Sequence, residues 1–576
     1  MKFYLNGLRL TALATVLAAQ TAFAAGTAAD QPSVILYGGG ATLPANAYVG
    51  DTWLDAVPAR RLSNTLPPAV GAPSNANAAS KTSLFGEYSL LSAVGAQKSG
   101  VYGVSYCQTG SGTGRGVIKN TVIGNGICGD YASTPTGFSA DSRKADFGAS
   151  DAPLSQGDIN SFNASSASTS NPAVLQTYNT LYTQPVQMPG VAGSIAVVYN
   201  NPDLGKVQIN LTRSDVCGIF SGQITNWSAL SSHTPKLKTV LPSKTIKVVY
   251  RSDGSGTTFS FTNFLSKVCG SLNLPGDTAV PGFRTTDTFG GANGNTSGSQ
   301  PAFGTSPAGA TAVVPAGAIG ASGNGNVVGT VSSTDGAIGY AEVSDAVTRA
   351  KRSGGSNLKF STVSRAADVA KSSTTVAIGS SFTCPAGTVA PNVFDNTTGT
   401  KALKASCKAV VYNKLDPAKN FLVKGDTAVA VTTTPDMVLS GIDANGRPNV
   451  VAPTAGTLND TGSDVAGCVQ LVAPDAYAEP STSATKASTA DYTRFPITAV
   501  SYLLAYGTGY NPTAVAAPNK TTGVKGLLKS TNDATILAKV KTIGKTTGFA
   551  PLTITFGAGS AGTGTVASFV DACVRD

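Results

Sequence analysis

The chain has 576 residues, 41% of them apolar and only 12% charged, so it can build real cores and is not a disordered chain. The net charge is +10, two units of it from Lys2 and Arg9; the other basic residues are scattered, which argues against a nucleic-acid partner while leaving a mild field that would steer anions. A single histidine, His233, lies in the turn-like run Ser231-Ser232-His233-Thr234-Pro235, and the chain has no H-E-x-x-H, no G-x-S-x-G and no G-x-x-x-x-G-K-[ST] motif. Zinc hydrolases, serine triads and phosphate-loop enzymes are therefore disfavoured, and no catalytic residue, metal ligand or cofactor is assigned.

Residues 1–24 read as a cleavable secretory signal. Lys2 and Arg9 flank a short apolar run through Leu10, Leu13, Val16 and Leu17 that ends in Ala22-Phe23-Ala24. The run is shorter than the roughly 20 apolar residues of a membrane span, and no later stretch comes close. The expectation is a periplasmic or secreted protein without a span and without a lipid-bearing cysteine at the cleavage site.

The first element after the signal is a strand, Val34-Ile35-Leu36-Tyr37, running into Gly38-Gly39-Gly40-Ala41-Thr42-Leu43-Pro44. Pro44 suits the first turn of a helix, which places Thr42 near its cap. A helix start offers unpaired N–H groups to an anion, although a simple capped helix reads the same way. Ala145-Asp146-Phe147-Gly148-Ala149-Ser150-Asp151-Ala152-Pro153-Leu154 is a second such turn, with Asp151 at its tip, where a carboxylate also serves as an ordinary turn cap.

The third segment is the fullest. Ile246-Lys247-Val248-Val249-Tyr250 predicts a strand, Arg251-Ser252-Asp253-Gly254-Ser255-Gly256-Thr257-Thr258 a glycine-rich turn, and Phe261, Phe264, Leu265 and Val268 the apolar face of a following helix. Ser255, Gly256 and Thr257 then sit at a helix N-terminus where amides and hydroxyls converge on one oxyanion. Arg251 adds a planar charged fork suited to phosphate oxygens, and Asp253 is placed to hold that guanidinium. Taken alone, Asp-Gly-Ser-Gly is more often a turn.

Beyond these lie glycine-rich residues 290–329, read as surface loops, and residues 366–489, which hold three cysteines and end in the low-complexity run 481–489. Eight cysteines in an exported chain predict disulfides; pairing of sequence neighbours is one of many connectivities that the spacing leaves open.

Together the anion segments resemble those of the periplasmic phosphate-binding proteins of ABC importers, closest to the secreted DING-type branch. Gly193-Ser194-Ile195-Ala196-Val197-Val198-Tyr199-Asn200 is similar to that family's lobe-crossing strand, and Val216 to Trp227 to its helix-and-turn signature; Gly336 to Tyr340 and Phe495-Pro496-Ile497 follow in family order. The resemblance implies a two-lobed α/β periplasmic-binding-protein fold of type II, with large disulfide-bearing insertions. It would divide into lobe I at 25–192, lobe II at 193–365, an insertion of unknown role at 366–489 and a return to lobe I at 490–576.

The resemblance also implies a phosphate site made of Thr42, Leu43 through its amide, Ser111 in Gly110-Ser111-Gly112-Thr113-Gly114, Asp151, Arg251, Ser255, Gly256 and Thr257, with Asp253 orienting. Asp151 would be the lone acceptor, favouring protonated phosphate over sulfate. Departures are the long segment 51–106 before Ser111 and a second insertion at about 116–139. The partners implied are inorganic phosphate and an ABC permease, for a monomer engaged in phosphate acquisition or import. Two other classes fit the same chain: a DING-like secreted phosphoester hydrolase, and a surface-interaction protein that uses its insertions.

Overall fold

The computed structural model describes residues 34–50, 62–65, 77–91, 101–116, 145–164, 184–205, 209–211, 213–230, 241–269, 283–290, 314–352, 357–376, 403–413, 428–443, 446–453, 465–478, 497–508, 517–544 and 547–576, with a few shorter pieces. The signal segment 1–24, the insertion at about 116–139, His233, Cys128, Cys384 and the run 481–489 lie outside the described residues.

The molecule is a two-lobed α/β protein organised by one long strand, Pro185–Asn200, buried along its whole length. Its first part, up to Ser194, pairs antiparallel with Thr498–Tyr506 in the sheet of lobe I. From Ile195 onward it pairs antiparallel with Ala337–Glu342 in the sheet of lobe II. The strand thus leaves one core and enters the other without a break, and Ile195 N donates to Ile497 O (3.0 Å) where the returning chain crosses beside it. Its unbroken apolar run follows from burial on both faces, which removes the alternation of a half-exposed strand.

In lobe I, Val34–Gly40 lies between Tyr102–Gln108 and Phe147–Ser150, parallel to both. Those three strands end at the glycine- and serine-bearing turns singled out above, so their C-terminal ends bring Thr42, Ser111 and Asp151 to one edge, the usual location of ligands in open α/β sheets. In lobe II, Lys247–Arg251 is parallel to Ile319–Ala321 and Ala337–Glu342 and carries Arg251 to the facing edge. The helix Gly256–Cys269 follows, with Phe261, Phe264, Leu265 and Val268 buried as their spacing predicts. Its start is fixed by Tyr340, whose ring stacks on Phe261 (4.3 Å between centroids), while its hydroxyl accepts from Arg251 N (3.2 Å) and lies 2.7 Å from Thr258 Oγ1.

Two disulfides join cysteines that are neighbours in sequence, one of the connectivities that the spacing left open: Cys217–Cys269 ties the helix Arg213–Ser221 to the end of Gly256–Cys269, and Cys468–Cys573 holds the C-terminal helix. Cys107 is also disulfide-bonded.

One stretch departs from the sequence reading, and a second, the insertion 366–489, holds structure that the reading did not specify. The glycine-rich residues 290–329 do not remain loop to their end, because Ile319–Ala321 is a strand and Asn324–Ser333 a helix that buries Val327, Val328 and Val331. Much of 366–489 is built structure. Thr362–Val376 forms an antiparallel ribbon with Leu403–Asn413, and Val429–Pro435 runs parallel to Phe549–Thr555 in lobe I. From there the hairpin Val438–Ile442 and Pro448–Val451 reaches across to lobe II. Gly446 O accepts from Thr285 N (2.9 Å), Arg447 Nη1 donates to Asn263 O (2.5 Å), and Asn263 Nδ2 donates to Pro474 O (2.9 Å). Besides the crossing strands, this strap bridges the lobes beside the cleft.

Candidate anion-binding site

Each wall of the interlobe cleft contributes an aspartate, Asp151 buried on lobe I and Asp253 partly buried on lobe II. On the lobe II wall, Arg251 is 1% exposed and turns its Nε and Nη2 toward Asp253, donating to Oδ1 at 2.7 Å and Oδ2 at 2.5 Å. Asp253 Oδ1 also accepts from Gly323 N (3.0 Å). Burial alone would push the Asp253 carboxyl up, but the Arg251 guanidinium outweighs it and holds the group below the usual carboxylate range. Burial likewise opposes the Arg251 charge, and Asp253 more than restores it.

This pairing corrects one expectation: the fork edge of Arg251 faces its own lobe, and Nη1 is the end turned to the cleft. Nη1 donates to Thr42 Oγ1 across the lobe boundary (3.2 Å), to Thr257 Oγ1 (3.4 Å) and to Asn324 Oδ1 (3.0 Å).

On the lobe I wall, Asp151 is 1% exposed. Ser111 Oγ donates to Asp151 Oδ2 (3.1 Å) and accepts from the Asp151 amide (3.1 Å), so the serine clamps the turn it faces. Burial raises the Asp151 carboxyl to about 7, against the opposing pulls of the Ser501 and Ser111 hydroxyls and then of Arg251 and Arg115. Asp151 is thus a carboxyl with little compensation, whereas both oxygens of Asp253 are engaged by Arg251.

The remaining expected residues fall between these walls. Ser255 and Gly256 open the helix Gly256–Cys269, and Ser255 Oγ accepts from Thr258 N (3.0 Å), so its lone pair caps the helix while its proton stays available. Gly256 admits close approach: a Cβ there would lie 2.4 Å from Ser111 Oγ and 2.8 Å from the Asp151 carbonyl carbon. Leu43 is fully buried, packed beside Gly193 of the crossing strand. Thr42 lies near the helix cap, as its position before Pro44 implied, without being the cap itself. Pro44 itself occupies that place, ahead of the short helix Ala45–Val49, and the Thr42 hydroxyl turns to Arg251 instead.

A family model described as the PBP superfamily domain matches residues 73–425, more than half of the chain. The chain belongs to the PBP superfamily. It is 30% identical over 236 residues to Alkaline phosphatase L of Pseudomonas aeruginosa, covering 41% of this chain and 48% of that one. With the phosphate-binding protein PstS of Haemophilus influenzae it shares 45% identity over 87 residues, 15% of this chain and 25% of the relative. The chain therefore spans about half the length, or less, of the curated relatives it matches. A solved phosphate binding protein from Stenotrophomonas maltophilia overlays 90% of this chain and 91% of its own at a TM-score of 0.42 and 19% identity, a likeness too loose to carry anything further.

In this member of the PBP superfamily, the sequence reading missed three cleft residues. Asn324 opens the helix that follows Gly323 and contacts both Arg251 and Thr257. Arg115, at the end of the short helix Ser111–Gly116, is anchored by Asp158 on its own lobe (3.1 Å) and crosses to Asp287 on the other (2.6 Å). The Asp287 carbonyl in turn accepts from Ser255 N (2.8 Å). A further interlobe contact, Asn46 Nδ2 to Asp345 Oδ1 at 2.6 Å, lies between the short helix after Pro44 and the helix Val343–Arg352. The lobes are closed on one another in this structure. Among the described residues no group of three or more His, Cys, Asp or Glu side chains is placed to hold a metal ion, and no helix is long and apolar enough to cross a membrane.

Proposed function

We propose that the protein captures inorganic phosphate in the closed interlobe cleft, as an exported solute-binding protein serving phosphate acquisition or import. One observation carries this reading: a buried arginine, already neutralised on one side by Asp253, donates from its other end to the Thr42 hydroxyl and faces a buried carboxyl, Asp151, that has no full charge partner. Thr42, Ser111, Ser255 and Thr257 would supply hydroxyl protons, and the amides of Leu43, Gly256 and Thr257 further donors. Asp151 would take up the proton that phosphate carries near neutral pH and sulfate lacks. Relatives named phosphate-binding proteins, and membership of the PBP superfamily, support the same ligand class.

The test is calorimetric titration of refolded, phosphate-free protein with phosphate and then sulfate. Tight, phosphate-selective binding that disappears in Arg251→Ala supports the reading; a folded protein that takes up no phosphate overturns it.

An ABC permease as the docking partner, with the binding protein acting as a monomer, belongs to this proposal; uptake measured after deletion of the hairpin residues 436–453 tests it. A second reading has one observation in its favour, the name Alkaline phosphatase L of a relative. Turnover of a chromogenic phosphate ester by the purified protein, lost on Ser111→Ala and Asp151→Asn, would establish it.

A further inference from the structure

We infer that Asn324 is a positioning residue that makes Thr257 a dedicated donor to the bound anion. The inference rests on the phosphate reading above and deepens it.

The argument follows from which atoms can donate. An arginine guanidinium has only donors, so the side-chain atom of Asn324 that meets Arg251 Nη1 at 3.0 Å must be the amide oxygen. That choice fixes the other end of the amide as Nδ2, which can only donate, and it points at Thr257 Oγ1 (3.2 Å). Thr257 Oγ1 also receives Arg251 Nη1 at 3.4 Å. Neither of these two neighbours can accept in return, because an amide NH2 and a guanidinium only donate. Its own proton cannot point at either neighbour, and it donates to no group among the described residues. Asn324 is fully buried, as is Thr257, so water does not rescue an alternative arrangement.

The relay from Arg251 through Asn324 to Thr257 leaves one proton directed into the cleft, oriented before any ligand arrives. Preorganised donors of this kind cost no reorientation on binding. The amide also does this without charge. An aspartate in its place would have the same shape but only acceptors: it would draw the Thr257 proton onto itself and neutralise the cleft-facing end of Arg251.

Those two consequences separate a positioning role from a packing role. Phosphate titration of the wild-type protein, Asn324→Asp, Asn324→Ala, Thr257→Val and the double variant Thr257→Val with Asn324→Ala is the experiment. The isosteric Asn324→Asp should weaken phosphate binding by about a hundredfold or more, since it opposes the anion with a buried charge. Asn324→Ala should weaken it by only about tenfold. In the Thr257→Val background the same Asn324→Ala change should cost less than about threefold, because the hydroxyl it orients is gone. Melting of the phosphate-free variants accompanies the titrations, so that loss of folding is read separately.

If Asn324→Asp binds as well as or better than Asn324→Ala, Asn324 merely fills space and the inference falls. An undiminished cost of Asn324→Ala in the Thr257→Val background also overturns it. A folded wild-type protein that binds no phosphate overturns both this inference and the reading beneath it.

Discussion

Asp253, partly buried on lobe II, and Asp151, buried on lobe I, line the same cleft, and their environments push them in opposite directions. Asp253 closes a two-point pair with Arg251, and its carboxyl is held low. Asp151 has a serine hydroxyl at 3.1 Å and more distant cations, so its burial dominates and its carboxyl sits at about 7. The difference separates two uses of one side chain. A carboxylate that spends both oxygens on a guanidinium sets the charge and direction of the arginine, whereas one left without a full partner is an acceptor in waiting. Carboxyl pairs whose environments drive them apart are a recurring mark of sites that handle protons.

The largest expected effect breaks the spent half of the comparison. Arg251→Ala leaves the partly buried Asp253 without its cation and removes the positive end facing the cleft, so phosphate affinity should fall by about 2–5 kcal/mol, read by calorimetry, with a lower melting temperature of the phosphate-free protein. Gly256→Ala attacks closure itself without touching either charge. Its methyl group would meet the Asp151 backbone at 2.8 Å, so the lobes must stay apart. Affinity should drop by about a hundredfold while the melting temperature of the phosphate-free protein changes little, since the strain is relieved by opening. Tight binding by Gly256→Ala would mean that the ligand does not sit between these two walls.

Asp151→Asn sharpens the comparison from the other side. The amide keeps the shape but offers a donor, so phosphate should weaken while sulfate gains, and the phosphate-to-sulfate preference should shrink by about tenfold or more in competition titrations. Acidification should imitate the variant. Below about 7 Asp151 takes on a proton and becomes able to donate to sulfate, so selectivity should fall as pH falls through that value, and Asp151→Asn should show no such dependence.

Much of this arrangement could be read from the sequence because it is local. Strand, glycine-rich turn and helix follow one another between Ile246 and Val268, and the apolar spacing that predicts the helix also places Ser255, Gly256 and Thr257 at its start. Asp151 and Ser111 were visible as turn residues, but their 3.1 Å contact is a product of sheet order, since the strands they follow flank Val34–Gly40 on either side. Asn324 was hidden by its surroundings: glycine-rich sequence reads as loop, and only Val327, Val328 and Val331 betray the helix behind it. Arg115 and Asp287 lie far apart in sequence and meet only when the lobes close. The strap was illegible for the same reason, because Val429–Pro435 finds its sheet partner at Phe549–Thr555, and no periodicity records so distant a pairing.

Stability against pH should also divide the two aspartates, with a sign that follows from each shift. A carboxyl raised in the folded state contributes stability that is present below its unfolded value and lost as pH rises through the folded one. For Asp151 the phosphate-free protein should therefore lose stability as pH climbs through about 7, where a buried carboxylate is forced to ionise. Asp253 acts in reverse, adding stability above its unfolded value that is lost only as pH falls through its lowered one. Melting curves at about pH 5.5 and about pH 8.5 should show a drop that Asp151→Asn removes. An equal drop in the variant would place the ionising group elsewhere.

The smallest expected effect concerns the strap, which touches neither aspartate but bears on how their walls approach. Arg447 is braced by Asp475 (2.5 Å) and donates to Asn263 O on the helix Gly256–Cys269, while neighbouring Gly446 holds the loop that carries Asp287. Asp287 pairs with Arg115 across the cleft and takes the Ser255 amide, so the strap sits two contacts from the site. Arg447→Ala removes a mostly peripheral ion pair, and its cost in stability should stay near 1 kcal/mol. Its signature should be kinetic: with the lobes less restrained, phosphate should dissociate several-fold faster at little change in selectivity, because neither the Asp151 acceptor nor the Arg251–Asp253 pair is altered. An unchanged dissociation rate would mean that the crossing strands alone govern opening, and that the strap is a passenger on lobe I.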